Sequence, residues 1–193
     1  VVPETTESSF DLFANITKTT LNGNVVDWEN GDILYLVTSD GTWGKPYSED
    51  KPGETIGNFT YDGTKFSSTQ TIADGTYTFR AIYADDSQRS YHRGAGTTHS
   101  LQKVQTQDCS APTAHIKSND ALVGKFDATT PLTAGAAVAM SHIYTIMEVD
   151  IKNSTATDAT INSFTMNAEG ANLAGIFTVN YDNSPIDVTF NKN

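Results

Sequence analysis

The stretch Asp74-Gly75-Thr76-Tyr77-Thr78-Phe79-Arg80-Ala81-Ile82-Tyr83 decides the fold class of this 193-residue chain. Apolar side chains occupy every second position from Tyr77 to Tyr83, which predicts a β-strand with one face toward a core. An Asp-Gly pair ahead of such a run is a hairpin signal, because glycine tolerates positive φ. The same triplet recurs before aromatic residues at Asp40-Gly41-Thr42 and Asp62-Gly63-Thr64. The sequence therefore predicts a chain built from hairpins.

Other runs bounded by turn residues extend this pattern to roughly eight to ten strands, with almost no helical periodicity. The run 33–37 is apolar throughout, which is typical of a strand buried on both faces. A brief helical turn capped by Ser118, Asn119 or Asp120 is predicted over 118–123. We expect an all-β, largely antiparallel Greek-key β-sandwich with long loops. The further predicted strands are 10–16, 56–61, 65–68, 101–107, 143–151, 161–166, 173–181 and 186–190, with 134–140 as strand or extended loop.

Composition limits the function classes. The net charge of −11 and pI near 4.5 argue against nucleic-acid binding, which needs a basic face. Cys109 is the single cysteine and cannot form an internal disulfide. Residues 1–9 are polar and are expected to be a flexible segment, and 10–193 are expected to form a single β-sandwich domain.

Chemical sites are not predicted. The four histidines, His92, His99, His115 and His142, lack the spacing of metal ligands. A Gly-x-Ser-x-Gly nucleophile motif is missing, and the sequence identifies no pair of carboxylates facing across a cleft. We therefore expect no catalytic residue, cofactor or metal, and a protein that is not an enzyme. His142 is expected to be a hydrogen-bonded residue at a sheet edge.

Several ordered motifs carry a family resemblance. They are Trp28-Glu-Asn-Gly31-Asp32-Ile33, Phe59-Thr-Tyr61-Asp62-Gly63-Thr-Lys-Phe66, the run 74–83, the pair Gln105/Gln107, Met140-Ser-His142 and Val149-Asp-Ile151-Lys-Asn153-Ser-Thr155. In this order they resemble the N-terminal, transthyretin-like domain of the fimbrillins, the subunits of type V pili and related surface adhesins. Family members usually carry a second β-sandwich, which is expected to be absent here.

The resemblance implies an extracellular subunit of a fimbria attached to the outer membrane. Fimbrillins are made as lipoproteins, so membrane contact is expected only through a lipid anchor that has been removed. The family assembles by donor-strand exchange, in which a neighbouring subunit fills a groove that loss of an N-terminal strand leaves open. Neighbouring pilus subunits are the implied partners, together with a host or bacterial surface glycan or protein; nucleic acid is not implied.

Two sets of candidate site residues follow. The terminal strands supply the assembly groove: Phe10, Leu12, Ala14 and Ile16 from the first, and Ile186, Val188 and Phe190 from the last. The alternative function is a cell-surface carbohydrate-binding module, whose stacking platform would be Trp43, Tyr47 and Tyr91. The competing interpretation of these aromatic residues is ordinary packing at the ends of the sandwich.

Overall fold

The computed structural model describes residues 6–16, 27–44, 57–84, 98–106, 116, 119–147, 149–170 and 172–190. Within these ranges the chain forms twelve strands and almost no helix, which confirms the all-β prediction. The strands are β1 (Glu7–Ser8), β2 (Asp11–Ile16), β3 (Ile33–Thr38), β4 (Asn58–Tyr61), β5 (Phe66–Ser67), β6 (Ile72–Ala73), β7 (Gly75–Ala84), β8 (Thr98–Leu101), β9 (Ala121–Thr130), β10 (Ala136–His142), β11 (Gly175–Asn180) and β12 (Asp187–Phe190).

The main sheet is a closed barrel, where two open sheets packed face to face were expected. Its strand order is β10-β2-β5-β4-β3-β7-β9. It closes because β10 pairs along both edges, parallel to β2 and antiparallel to β9. The other barrel pairs are antiparallel. A three-stranded sheet, β12-β11-β8, and a two-stranded sheet, β1-β6, complete the described fold.

Two apolar clusters account for the packing. The first fills the barrel and includes Phe79, Ala81 and Tyr83 of β7, the predicted inward face of that strand. The second joins the outer faces of β3, β7 and β9 to β11; its members are Tyr35, Val37, Ile82, Val123, Phe177, Val179 and Tyr181. The strand β3 is therefore buried on both faces, as the apolar run 33–37 predicts.

Two glycines permit a close backbone approach beside β3. Gly44 has φ +75° and Gly57 has φ +89°, and a Cβ on either would lie 2.1 Å from the carbonyl oxygen of Leu36. The Leu36 amide in turn donates to the Gly57 carbonyl over 2.8 Å. Glycine is required at both positions because an L side chain is strained at positive φ and here has no room.

The turn triplets behave differently from one another. Asp62-Gly63-Thr64 joins β4 to β5 as predicted, with Gly63 at φ +100°. The Asp62 carboxylate accepts from the Thr64 hydroxyl and amide and from the Lys65 amide. These hydrogen bonds, led by that of the Thr64 hydroxyl, lower the pKa of Asp62. Gly75 instead starts β7 and pairs with Thr130, so the third triplet begins a strand without forming such a turn.

Several predicted elements are wrong. The described part of 118–123 includes the start of β9 at Ala121, because β7 and β10 pair with that segment on both sides. The strand predicted over 101–107 is displaced, since β8 ends at Leu101. The described parts of 143–151 and 161–166 contain no strand. Within the segment predicted to be flexible, Glu7–Ser8 pairs with β6, while residues 1–5 lie outside the described ranges.

Candidate functional site

The strand β2 occupies the gap between β10 and β5 and thereby closes the barrel. It pairs in parallel with β10 from Leu12 opposite Ala136 to Ile16 opposite Met140. It pairs antiparallel with β5 at only two positions, one of which places Leu12 opposite Phe66. Both neighbours lie far from β2 along the chain. Its strand structure therefore depends entirely on distant parts of the sequence.

The side chains of this region divide between the barrel interior and its surface. Leu12 is 0% and Phe10 is 6% exposed, and Ala14 packs against the same cluster. The Phe10 ring lies 5.3 Å from that of Phe59, centre to centre. Phe13 points away from the core and is 43% exposed. Three of the four predicted groove residues of this strand therefore line the barrel; for Ile16 only the backbone is described.

An ion pair fixes this region from outside the barrel. Lys65 Nζ lies 2.6 Å from Asp11 Oδ2, and each side chain is a little more than a third exposed. The hydrogen bond from Lys65 to Asp11 raises the pKa of the lysine, and the charge of Asp11 adds to the effect. Because the pair is solvated, it contributes little to stability. It instead favours the register in which Asp11 stands beside β5.

The predicted groove residues of the last strand lie elsewhere. Ile186 and Val188 pack against the second cluster, between the barrel wall and the three-stranded sheet. The Phe190 ring lies 5.7 Å from that of Phe177 and is 37% exposed. Because β12 pairs with β11 and not with a barrel strand, the structure does not bring the two terminal strands together.

The predicted glycan platform is described only at Trp43, since Tyr47 and Tyr91 lie outside the described ranges. Trp43 is partly buried against the barrel core, edge-on to Phe79 at 6.2 Å. Its Nε1–H donates to the Thr71 carbonyl oxygen over 2.9 Å. The ring therefore packs at the end of the barrel, in accordance with the competing interpretation of ordinary packing.

A buried acid and a histidine form a second candidate site. His142 Nδ1 donates to Asp120 Oδ1 over 2.8 Å, and the Asp120 side chain is only 5% exposed. The hydrogen bond with Asp120 raises the pKa of His142, although burial opposes the shift. Asp120 Oδ2 is buried and has no hydrogen-bond partner among the residues that the structure describes. His142 is hydrogen-bonded as expected, but it ends a strand that is paired on both sides.

Asp120 also borders a cavity of about 370 Å³ next to the end of β8. The walls include Tyr144, whose hydroxyl donates to the Ser100 carbonyl oxygen, and whose pKa is raised by burial. The sequence predicts Asp120 only as a possible helix cap and not as a site residue. No local signal could have found it, because its partner lies on a different strand.

Among the residues that the structure describes, no three His, Cys, Asp or Glu side chains form a group able to hold a metal ion. No helix within the described ranges is long and apolar enough to cross a membrane. His92 and His115, for which no metal-binding role is predicted, and the single cysteine Cys109 lie outside those ranges.

No protein-family model, curated protein or solved structure matches this chain. The resemblance to fimbrillins therefore stays a prediction.

Proposed function

We propose that this chain is a non-enzymatic cell-surface subunit, of a pilus or as a fimbrillin-like adhesin, that assembles by β-strand donation. The observation that carries the proposal is the position of β2, which alone fills the gap between β10 and β5. A strand that pairs only with distant segments can be replaced by an equivalent strand from another copy without any change in the contacts made.

The energetics of the gap favour such replacement. An empty gap would leave the edges of β10 and β5 unpaired and expose the apolar lining that Phe10 and Leu12 now cover. A donated strand satisfies the backbone groups and the apolar pockets together, which is the basis of β-strand addition. Since intramolecular and intermolecular insertion give the same contacts, the local concentration of donor strands decides between them.

The related proposals follow from the same resemblance. The subunit would act outside the cell, in a fimbria attached to the outer membrane, and would contact the membrane only through a lipid anchor later removed. Its partners would be neighbouring subunits and a surface glycan or protein. The transthyretin-like Greek-key relationship stays part of this proposal, supported by the predominance of antiparallel strands. The carbohydrate-binding alternative has less support, because the Trp43 N–H is hydrogen-bonded to Thr71 and its ring packs against Phe79 within the protein.

Peptide complementation tests whether the gap accepts a strand in trans. A chain beginning at residue 17 is mixed with a synthetic peptide of residues 6–16, and thermal unfolding is recorded. We expect the peptide to raise the melting temperature, because a ligand that binds only the folded state stabilises it. The matched control peptide carries Leu12→Asp, which places a charge at a fully buried position. Equal effects of both peptides, or no effect, would contradict the proposal.

Disulfide trapping tests donation between full-length copies. Phe13 pairs with Ala137 across β2 and β10, and both side chains are exposed. Single variants Phe13→Cys and Ala137→Cys, each also carrying Cys109→Ser, are mixed and oxidised. We expect a 13–137 intermolecular disulfide, mapped by mass spectrometry. Thr165→Cys, exposed but outside any strand, replaces Ala137→Cys in the control. Trapping no more efficient than in this control would refute exchange between copies.

A further inference from the structure

The Asp120 carboxylate is only half satisfied. Its Oδ1 accepts from His142, whereas its Oδ2 is buried and finds no hydrogen-bond partner within the described part of the chain. A buried polar group without a partner is costly, and most such groups in folded proteins are hydrogen-bonded. Asp120 forms part of the wall of the 370 Å³ cavity. Its Oδ2 is inaccessible to water, so a hydrogen-bond donor in the cavity reaches this oxygen only when the surrounding side chains shift.

The remainder of the cavity suits an aliphatic chain. Its wall includes Ile116, which is buried, and the rings of Tyr144 and Phe164. Met147 and Met166 border it as half-exposed side chains, which can adjust to an incoming group because methionine has many accessible rotamers. A volume of this size lies at the lower end of the range for ligand sites, which fits a short chain better than a ring system.

We propose that this cavity binds a primary ammonium on an aliphatic stem, the chemistry of a lysine side chain, with the ammonium donating to Asp120 and the stem lying against the apolar wall. The carboxylate selects a cation, and the net charge of −11 attracts cations to the protein. Lys103, also at this cavity, is exposed, so its charge is screened by solvent.

Guanidinium is less suitable than ammonium here. Arginine binds carboxylates best through two parallel hydrogen bonds, one to each oxygen. Asp120 can offer only Oδ2, because Oδ1 is occupied by His142. A lysine ammonium acts as a compact point charge and requires a single oxygen. The site therefore discriminates between the two basic side chains. This inference does not depend on strand donation, and either proposal can fail without the other.

An NMR titration of the full chain tests the ligand class. The probes are the N-acetyl, N′-methylamide derivatives of lysine, norleucine and arginine, together with pentylammonium. We expect the lysine derivative to shift resonances of Asp120, Tyr144 and Met147. Its affinity should be at least about tenfold higher than that of the uncharged norleucine derivative, because a charge-assisted hydrogen bond contributes more than about 1.4 kcal/mol. Equal affinities, or shifts confined to other surfaces, would overturn the proposal.

The same titration distinguishes the source of the ammonium. Pentylammonium shares the stem and charge of lysine but lacks the backbone amides. Equal affinity for both probes supports a free alkylamine as ligand, whereas tighter binding of the lysine derivative supports a lysine presented by a polypeptide. Failure of both probes to bind would refute the proposal.

Three variants locate the site. Asp120→Asn removes the charge, and we expect binding to be lost. Phe164→Ser changes a 58% exposed side chain at the cavity, so the fold should persist while affinity falls several-fold. Asp158→Asn removes an exposed acid that does not line the cavity and should leave affinity unchanged. Binding that survives both Asp120→Asn and Phe164→Ser would refute this location.

The His142 ring provides an independent readout. A bound ammonium beside Asp120 weakens the attraction between that carboxylate and protonated His142. The pKa of His142, followed through its ring resonances, should therefore fall when the lysine derivative is present and stay constant with norleucine. An unchanged titration at saturating lysine derivative would place the ammonium away from Asp120.

Discussion

The contribution of β2 to stability is tested most directly by Leu12→Ala. Leu12 is fully buried inside the barrel, opposite Phe66 on β5 and Ala136 on β10. Its truncation removes three carbon atoms, a transfer loss of about 2.4 kcal/mol at ~0.8 kcal/mol each. A closed ring of paired strands limits collapse around the vacated space, so a cavity contribution adds to that loss. We expect the free energy of unfolding to fall by about 3–4 kcal/mol, within the usual range for buried leucine.

The assay is urea denaturation followed by circular dichroism, with a thermal scan as a second measurement. For a chain of this size the expected loss corresponds to a fall in melting temperature of about 6–16 °C. The matched control is Phe13→Ala on the opposite face of the same strand. Phe13 is 43% exposed, so its truncation should cost about 1 kcal/mol or less. The comparison holds strand length and sequence position nearly constant.

A reversed order would refute the reasoning. If Phe13→Ala destabilised the chain more than Leu12→Ala, the register that turns Leu12 inward would be wrong, because a shift of one residue moves every side chain of a strand to the opposite face. If both variants unfolded at the urea concentration of the parent chain, β2 would not be part of the cooperative fold. The proposal of strand donation would then lose its physical basis.

The other predictions concern separate parts of the fold. Gly57→Ala should destabilise the chain by at least about 3 kcal/mol in urea titrations, because the added Cβ meets the Leu36 carbonyl at positive φ; wild-type stability would show that the approach is looser. His142→Gln should lower the free energy of unfolding most at acidic pH. Hydrogen bonding to Asp120 raises the pKa of His142 above 6.5, so the stability that protonated His142 contributes is complete below pH 6.5 and is lost as the pH rises through the raised pKa. A difference in melting temperature that grows with pH would contradict this sign. Trp43→Ala should lower the free energy of unfolding by about 2 kcal/mol through lost packing and a lost hydrogen bond; an unchanged urea midpoint would favour a free surface ring.

The sequence predicts best those elements whose signals are local. The run 33–37 forms a strand buried on both faces, and the alternation from Tyr77 to Tyr83 gives the correct inward face of β7. The Asp62 turn joins two strands because its carboxylate caps the turn and Gly63 adopts positive φ. In each case the deciding interactions lie within a few residues, so the pattern of side chains is sufficient.

Closure of the barrel could not be predicted in this way. It depends on Gly124, where a Cβ would lie 2.6 Å from the Ala139 carbonyl oxygen and 2.8 Å from a Val138 methyl carbon. A glycine inside a strand indicates close approach of another backbone but does not identify which backbone approaches. The Asp120–His142 pair escapes sequence patterns for the same reason, since Asp120 directly precedes β9, His142 ends β10, and only the folded barrel brings the two together.

The segments 143–151 and 161–166 show why alternation alone does not make a strand. Both alternate at least as clearly as 10–16, yet their described parts form no strand, and Ile151, Ile161 and Phe164 are each more than half exposed. An isolated extended segment gains little in water, because its backbone groups are already hydrated and its side chains have no partner to cover them. β2 is ordered because β10 and β5 offer it two edges and an apolar interior. In this protein the availability of an edge, more than local sequence, decides which segments become strands, and strand donation between subunits would depend on the same property.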